Sequence, residues 1–280
     1  MPADLHCHTK ISDGSTSIDE LVILAKNSGL TAVGITDHDT FAGANRAKVL
    51  GARQGVKVIP GIELSCYDYK RGRKVHLLGY MCCRPDKLVG LCKRTSDARK
   101  KAMQQKLAKV IRQYPITVDM VTKIAVGSTN VFKQHVMHAL LNCGYDNVIF
   151  GELHDSLFGE NGSCNSATQY PDIMEVLPLL LDSGTVTVLA HPYTYDSLDI
   201  IPELCEKGLH GIEVWYPGTT EEQTENLIKI ADKYQLLKTG GTDFHGMYGG
   251  EARTIGTCTM PDTELEKLIS IGEKIEKAMS

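Results

Sequence analysis

The chain has 280 residues and a net charge of −4, from 30 lysines and arginines against 34 aspartates and glutamates. That balance excludes a globally basic nucleic-acid surface or membrane-binding face, so an anionic partner has to be met by a local patch. Apolar runs such as VLPLLL (176–181) are too short to cross a bilayer, and nine cysteines without a C-x-x-C pair argue against a disulfide framework and for a reducing, cytoplasmic setting.

A chain of this length can form one α/β barrel or a domain carrying an insertion. Its opening, MPADLHCHTK, runs straight into a strand pattern, and no secretory leader is expected. In chain order, seven strands are predicted near 3–5, 32–35, 57–59, 75–78, 186–189, 211–214 and 237–239. They alternate with helical patterns, the signature of βα units in a parallel sheet or barrel. Ser17 followed three residues later by Glu20 is a capping box, and Gly29 closes the helix it starts. Between about residues 84 and 164 the alternation stops. SDARKKAMQQKLAKVIRQY (96–114) opens a long helical stretch, and residues 84–112 hold ten basic and two acidic side chains. An inserted helical substrate-binding subdomain is therefore expected at 84–164, between barrel parts 1–83 and 165–280.

Polar residues gather at the strand ends. His6 and His8 follow the first strand, Asp37, His38 and Asp39 the second, and Glu63 the third. His76 opens the fourth, His191 follows the fifth, and Asp243 and His245 follow the seventh. The carboxyl ends of parallel strands open on one face, so these residues should converge. An H-x-H pair on extended chain sends both imidazoles to one side, and Cys7 to the other. A single strand-end histidine is ordinarily a hydrogen-bonded loop residue. Six of the ten histidines at one rim, with carboxylates between them, are better explained by divalent cations. Mixed nitrogen and oxygen donors suit manganese, zinc or iron. Glu213 and Trp215 lie near the same rim and are read as a strand-end glutamate and a core aromatic.

Taken in order, DLHCHTKISDG, GITDHDTFAG, PGIELS, KVHLLGY, VLAHPY and GGTDFHG closely resemble the polymerase and histidinol phosphatase (PHP) family of metal-dependent phosphoesterases. GITDHDT together with the mid-chain insertion is most similar to the branch that includes the nucleoside 3′,5′-bisphosphate phosphatases. The resemblance implies an α/β fold, a distorted seven-stranded (β/α)7 barrel with a trinuclear site on its carboxyl face. One metal would take His6, His8, Glu63 and Asp243, and a second Asp13, His38 and His245. A third would take His76 and His191, with Glu63 bridging to the first. In that branch an arginine early in the long helix and a later basic segment are expected to hold substrate phosphates. Arg99 fits the first, and VFKQHVMHALL offers Lys133 and His135 for the second. There lysine stands in place of an arginine, and a point charge does not fork onto phosphate. Arg99 precedes Met103 and Leu107 by one and two turns, so it continues the apolar face of its helix and is expected to point inward; the alternative for it and for Lys133 is a solvated helix face.

The resemblance implies a small phosphorylated substrate, foremost the 3′-phosphate of a nucleoside 3′,5′-bisphosphate. Hydrolysis would proceed by metal-activated hydroxide, with His38, Asp243 and His245 as catalytic residues and no stable nucleic-acid complex. The alternatives are a cyclic phosphate diesterase or a sugar or histidinol phosphate phosphatase, and a PHP module that binds without catalysis. A barrel amidohydrolase would place a bridging lysine where this chain has Glu63.

Overall fold

Short aliphatic runs build the sheet. Ala32–Ile35 and Val186–Leu189 are buried at every position, as strands covered on both faces must be. The computed structural model describes residues 2–249 and 253–280. Its seven strands pair in chain order: β1 (Ala3–Asp4), β2 (Ala32–Ile35), β3 (Lys57–Asp68), β4 (Arg73–Tyr80), β5 (Val186–Leu189), β6 (Gly211–Trp215) and β7 (Leu237–Gly240). Backbone bonds between the ends roll the sheet into a barrel. Leu5 N–H donates to the Gly240 carbonyl at 3.1 Å, Phe244 N–H to His6 at 3.1 Å and His8 N–H to Phe244 at 2.7 Å.

The expectation of a parallel sheet fails at β4, which runs antiparallel to both β3 and β5. Residues 69–72 are the whole connection from β3 to β4, with Gly72 at φ 71° and its N–H on the Asp68 carbonyl. So short a link turns the chain back, because a parallel neighbour needs a crossover of about a dozen residues. β3 is also much longer than predicted, 12 residues, since β4 pairs along its second half. Running backwards, β4 begins at the rim where the other strands end, with His76 opposite Ser65 and Leu78 opposite Glu63.

The capping box at Ser17 is present and starts α1 (Ile18–Asn27). Gly29, at φ 72°, ends it, its N–H on Lys26 and that of Leu30 on Ala25. α2 (Ala44–Gln54) packs on α1 and β3. Between β4 and β5 the chain forms α3 (Val89–Val110), α4 (Val118–Ile124), α5 (Lys133–Asn142) and α6 (Glu152–Phe158). These share an apolar cluster that includes Met103, Leu107, Val136, Leu140 and Phe158, joined by Tyr248 from beyond β7. α7 (Ile173–Asp182), α8 (Ile201–Glu206), α9 (Glu221–Tyr234) and α10 (Asp262–Met279) follow, with α7, α9 and α10 packed on strands of the sheet.

Candidate metal centre

The extended segment after β1 sends His6 and His8 to the barrel mouth and Cys7 the other way, where its thiol donates to Asp4 at 3.5 Å. From β3, Glu63 stands between them and the reversed strand. His6 Nε2 and His8 Nε2 lie 3.3 and 3.1 Å from Glu63 Oε2 and 3.5 and 3.4 Å from Asp243 Oδ1. Beside this first group, Asp13 Oδ1 lies 3.5 Å from His8 Nδ1 and 3.3 Å from His245 Nε2, while Asp13 Oδ2 is 3.8 Å from His38 Nε2. On the other side, Glu63 Oε1 meets His76 Nδ1 at 2.8 Å and His191 Nε2 at 3.0 Å. All nine residues named from the sequence thus fall into three adjoining groups, with the donor atoms of each within 4.8 Å of one another and His8 reaching two of them.

The groups are built as cation sites would be. His6 Nε2, both nitrogens of His8 and His38 Nδ1 are buried without a hydrogen-bond partner, which proteins avoid unless something else meets the lone pair. Burial alone would raise Glu63, but His76, His6 and His38 outweigh it and hold the carboxyl well below its usual range. Asp13 and Asp243 are likewise held low despite burial, by His245, His38 and His8 and by His245, His6 and His8 respectively. Three ionised carboxylates out of water require positive charge. Despite burial, surrounding carboxylates raise His8 to about 10 and His6 well above its ordinary value, whereas at His38 and His76 burial wins and lowers both. Divalent cations would displace the protons of His8 and His6.

Outer partners fix the ligands. Glu213, read from sequence as an ordinary strand-end residue, is fully buried, lies 3.1 Å from His6 Nδ1 and accepts the His191 N–H at 2.9 Å. Asp37 accepts the Thr9 N–H (2.8 Å) and the hydroxyls of Thr9 (2.7 Å) and Ser12 (2.6 Å), tying down the loop that carries Asp13. Gly14 completes that loop, since a Cβ there would meet the His8 carbonyl oxygen at 2.5 Å. Asp39, His191 and Asp243 have positive φ, a strained backbone typical of functional sites.

Two cavities open over the centre. One of about 310 Å³ is lined by Asp13, His38, His191, Asp243 and His245. A second of about 150 Å³ shares Asp13, His38, His76, Gln134 and Tyr195 with it and extends under α3 and α5. A larger groove between α9 and α10 touches none of the nine residues. Arg99 and Lys133 line the second cavity. Arg99 is not a solvated surface residue: it donates to Asp39 Oδ2 (2.7 and 3.2 Å), Ser65 Oγ (2.6 Å) and Tyr170 Oη (3.2 Å), between the rings of Phe132 and Tyr170. His135 lines neither cavity. At the third position of α5 its ring folds back, and Nδ1 accepts the Phe132 N–H at 3.0 Å, so it caps the helix instead. Lys74 and Lys106, not singled out from sequence, also line the second cavity. Their spacing carried the signal: Lys106 follows Arg99 by two helical turns, and Lys74 precedes His76 by two on a strand.

Residues 4–170 match the family model described as the PHP domain. The chain is 37% identical to phosphoribosyl 1,2-cyclic phosphate 1,2-diphosphodiesterase of Eggerthella lenta, over 89% of this chain and 96% of that protein. It is 28% identical to a 5′-3′ exoribonuclease of Haemophilus influenzae (86% and 89% covered) and 23% identical to a 3′,5′-nucleoside bisphosphate phosphatase of Chromobacterium violaceum (90% and 90%). Among solved structures, one assigned as a metal-dependent phosphoesterase, from Bifidobacterium adolescentis, superposes with a TM-score of 0.89 at 28% identity over 96% of each chain.

Proposed function

The chain belongs to the PHP family of metal-dependent phosphoesterases, and from that membership we propose that it opens the cyclic phosphate diester of a ribose carrying a second phosphate. The observation that carries the reading is the buried rim of six imidazoles and three carboxylates beside a cavity lined by cations. The cyclic diester is preferred because the relative of that activity is 37% identical over nearly its whole length.

Three ions would be held: one by His6, His8, Glu63 and Asp243, one by Asp13, His38 and His245 with His8, and one by His76 and His191 with Glu63. Mixed donors suit manganese, zinc or iron. Divalent cations bound there would acidify water and neutralise phosphoryl oxygens. The chain's own part is orientation and proton supply. His38, Asp243 and His245 edge the cavity over the centre and would face the reacting phosphoryl group. Tyr195 stands where the two cavities join, and burial keeps its phenol protonated, so Oη can donate to a phosphoryl or leaving oxygen. Overall, water adds at phosphorus, one ring P–O bond breaks, and the departing ribose oxygen takes a proton. A monoester remains.

A second reading, hydrolysis of a nucleoside 3′,5′-bisphosphate, is favoured by the likeness to the phosphatase of that activity, which covers 90% of each chain. Phosphorus NMR of the purified enzyme with manganese separates the two. Ring opening of ribose 1,2-cyclic phosphate 5-phosphate, faster than phosphate release from adenosine 3′,5′-bisphosphate, is expected; the reverse order would replace the first reading with the second.

A further inference from the structure

We propose that the substrate's distal phosphate is held by Lys74, Lys106 and Lys133, with Lys106 setting the preference for a two-phosphate substrate, and that Arg99 is a positioning residue. This rests on the phosphoesterase reading above and concerns the second cavity, under α3 and α5, whose other end is lined by Asp13, His38 and His76.

Arg99 is committed elsewhere. Its guanidinium gives two hydrogen bonds to Asp39, one to Ser65 and one to Tyr170, and Asp39 neutralises its charge. What it holds is the wall between the centre and the second cavity, since Asp39 also accepts the Ser65 N–H and sits beside His38.

Lys106 is in the opposite condition. It is 6% exposed on α3, lines the second cavity, and has no hydrogen-bond or ion-pair partner among the described residues. Buried lysines are rare unless paired. Burial, with Lys74 and Arg99 nearby, lowers it to about 8. Lys133, lowered to about 8 by burial and by Lys106 and Lys74, gives one bond, to the Phe158 carbonyl at 3.0 Å. Among the described residues, the only carboxylate lining this cavity is Asp13, at its metal end. Three ammonium groups round so small a space repel one another until an anion enters. A phosphate monoester dianion has the charge and the acceptor oxygens to take all three, and the start of α5 at Lys133 adds the positive end of a helix. Lysines suit this task because each turns as a point charge toward a tetrahedral anion.

The test compares ribose 1,2-cyclic phosphate with and without a 5-phosphate, as a ratio of kcat/KM values, in the metal-loaded enzyme. Lys106→Met should lower the ratio at least about tenfold through KM, the loss of one charged contact, and Lys106→Arg should restore most of it. A folded K106M enzyme with the wild-type ratio overturns the proposal while leaving the phosphoesterase reading intact. Wild-type enzyme that opens neither ester overturns the reading beneath it, a separate failure. Should K106M not fold, Lys74→Met on the exposed side of the cluster must lower the ratio, and an unchanged ratio there overturns the proposal equally.

Discussion

Glu213 and His6, far apart in the chain, meet inside the barrel with Oε1 3.1 Å from Nδ1, while Oε2 takes the backbone N–H of His191. A carboxylate can only accept, so a proton of His6 is kept on Nδ1, and Nε2, beside Glu63 and Asp243, is the nitrogen that would turn a lone pair to a cation. One side chain thereby orients two ligands of different groups. Glu213→Gln should weaken metal retention about 10- to 100-fold, the usual effect of losing such a partner. Metal content after dialysis against a weak chelator, measured by elemental analysis on folded protein, checks this; wild-type retention would assign Glu213 to the core alone.

His8 reaches two of the three groups, and Asp243 belongs to one of them and also lines the cavity. His8→Ala and Asp243→Ala should each cut phosphoesterase activity about a thousandfold or more while circular dichroism stays native. Exhaustive chelation should do the same to the wild type, and manganese should restore it. Full loading is expected at three ions per chain, and retained activity in either variant would sink the ligand assignment.

His135 bears on stability. Burial lowers its pKa to about 4, so the folded protein holds it neutral while the unfolded chain protonates near the ordinary histidine value. The folded state therefore binds the proton more weakly. The contribution is complete above about pH 6.5 and is lost as pH falls toward 4, by up to about 3 kcal/mol. His135→Gln keeps an acceptor at the third helical position without titrating. Urea unfolding at pH 7 and pH 5 should show a smaller pH loss for H135Q than for the wild type, with little change in KM; equal losses would remove His135 from the acid response.

Gly14 tolerates no side chain. A Cβ would press on the His8 carbonyl and the Thr9 nitrogen, which are backbone and cannot swing aside. Gly14→Ala should destabilise the protein by about 1–3 kcal/mol and lower activity by moving Asp13. Thermal unfolding and metal content read both effects, and an unperturbed variant would show that the loop has slack.

The strands and eight of the nine clustered residues were legible as local signals, aliphatic runs and polar residues set at their ends, while Asp13 came only from the resemblance. The direction of β4 was not. ELSCYDYKRGRKVHLLGY holds two strands and a four-residue turn, but the half of β3 beyond Glu63 becomes regular only because β4 lies along it. Glu213 and Lys106 were missed for a related reason. Each sits in a commonplace pattern, a strand end and a basic helix, and takes its meaning from what stands opposite: His6 for the one, an anion-sized cavity for the other. His135 shows the converse, a residue type that suggests phosphate binding and whose Nδ1 caps a helix.

The reversal of β4 has a consequence for how substrate range can change. β4 leaves the chain at the far end of the barrel, where the N–H groups of Cys83 and Arg84 bond to Gly184 and Ser183 just ahead of β5. α3 therefore has to climb back toward the mouth, and its 22 residues, about 33 Å, deliver Arg99 and Lys106 on the way up. The helix works as a measuring rod. Inserting or deleting one residue between Val89 and Arg99 would shift both cations by about 1.5 Å and swing them about 100° round the axis. The strands would stay where they are, while Arg99 would lose its hold on Asp39 beside His38. On the proposed assignment of Lys106, the reach toward the far end of a substrate would thus be tuned by a length.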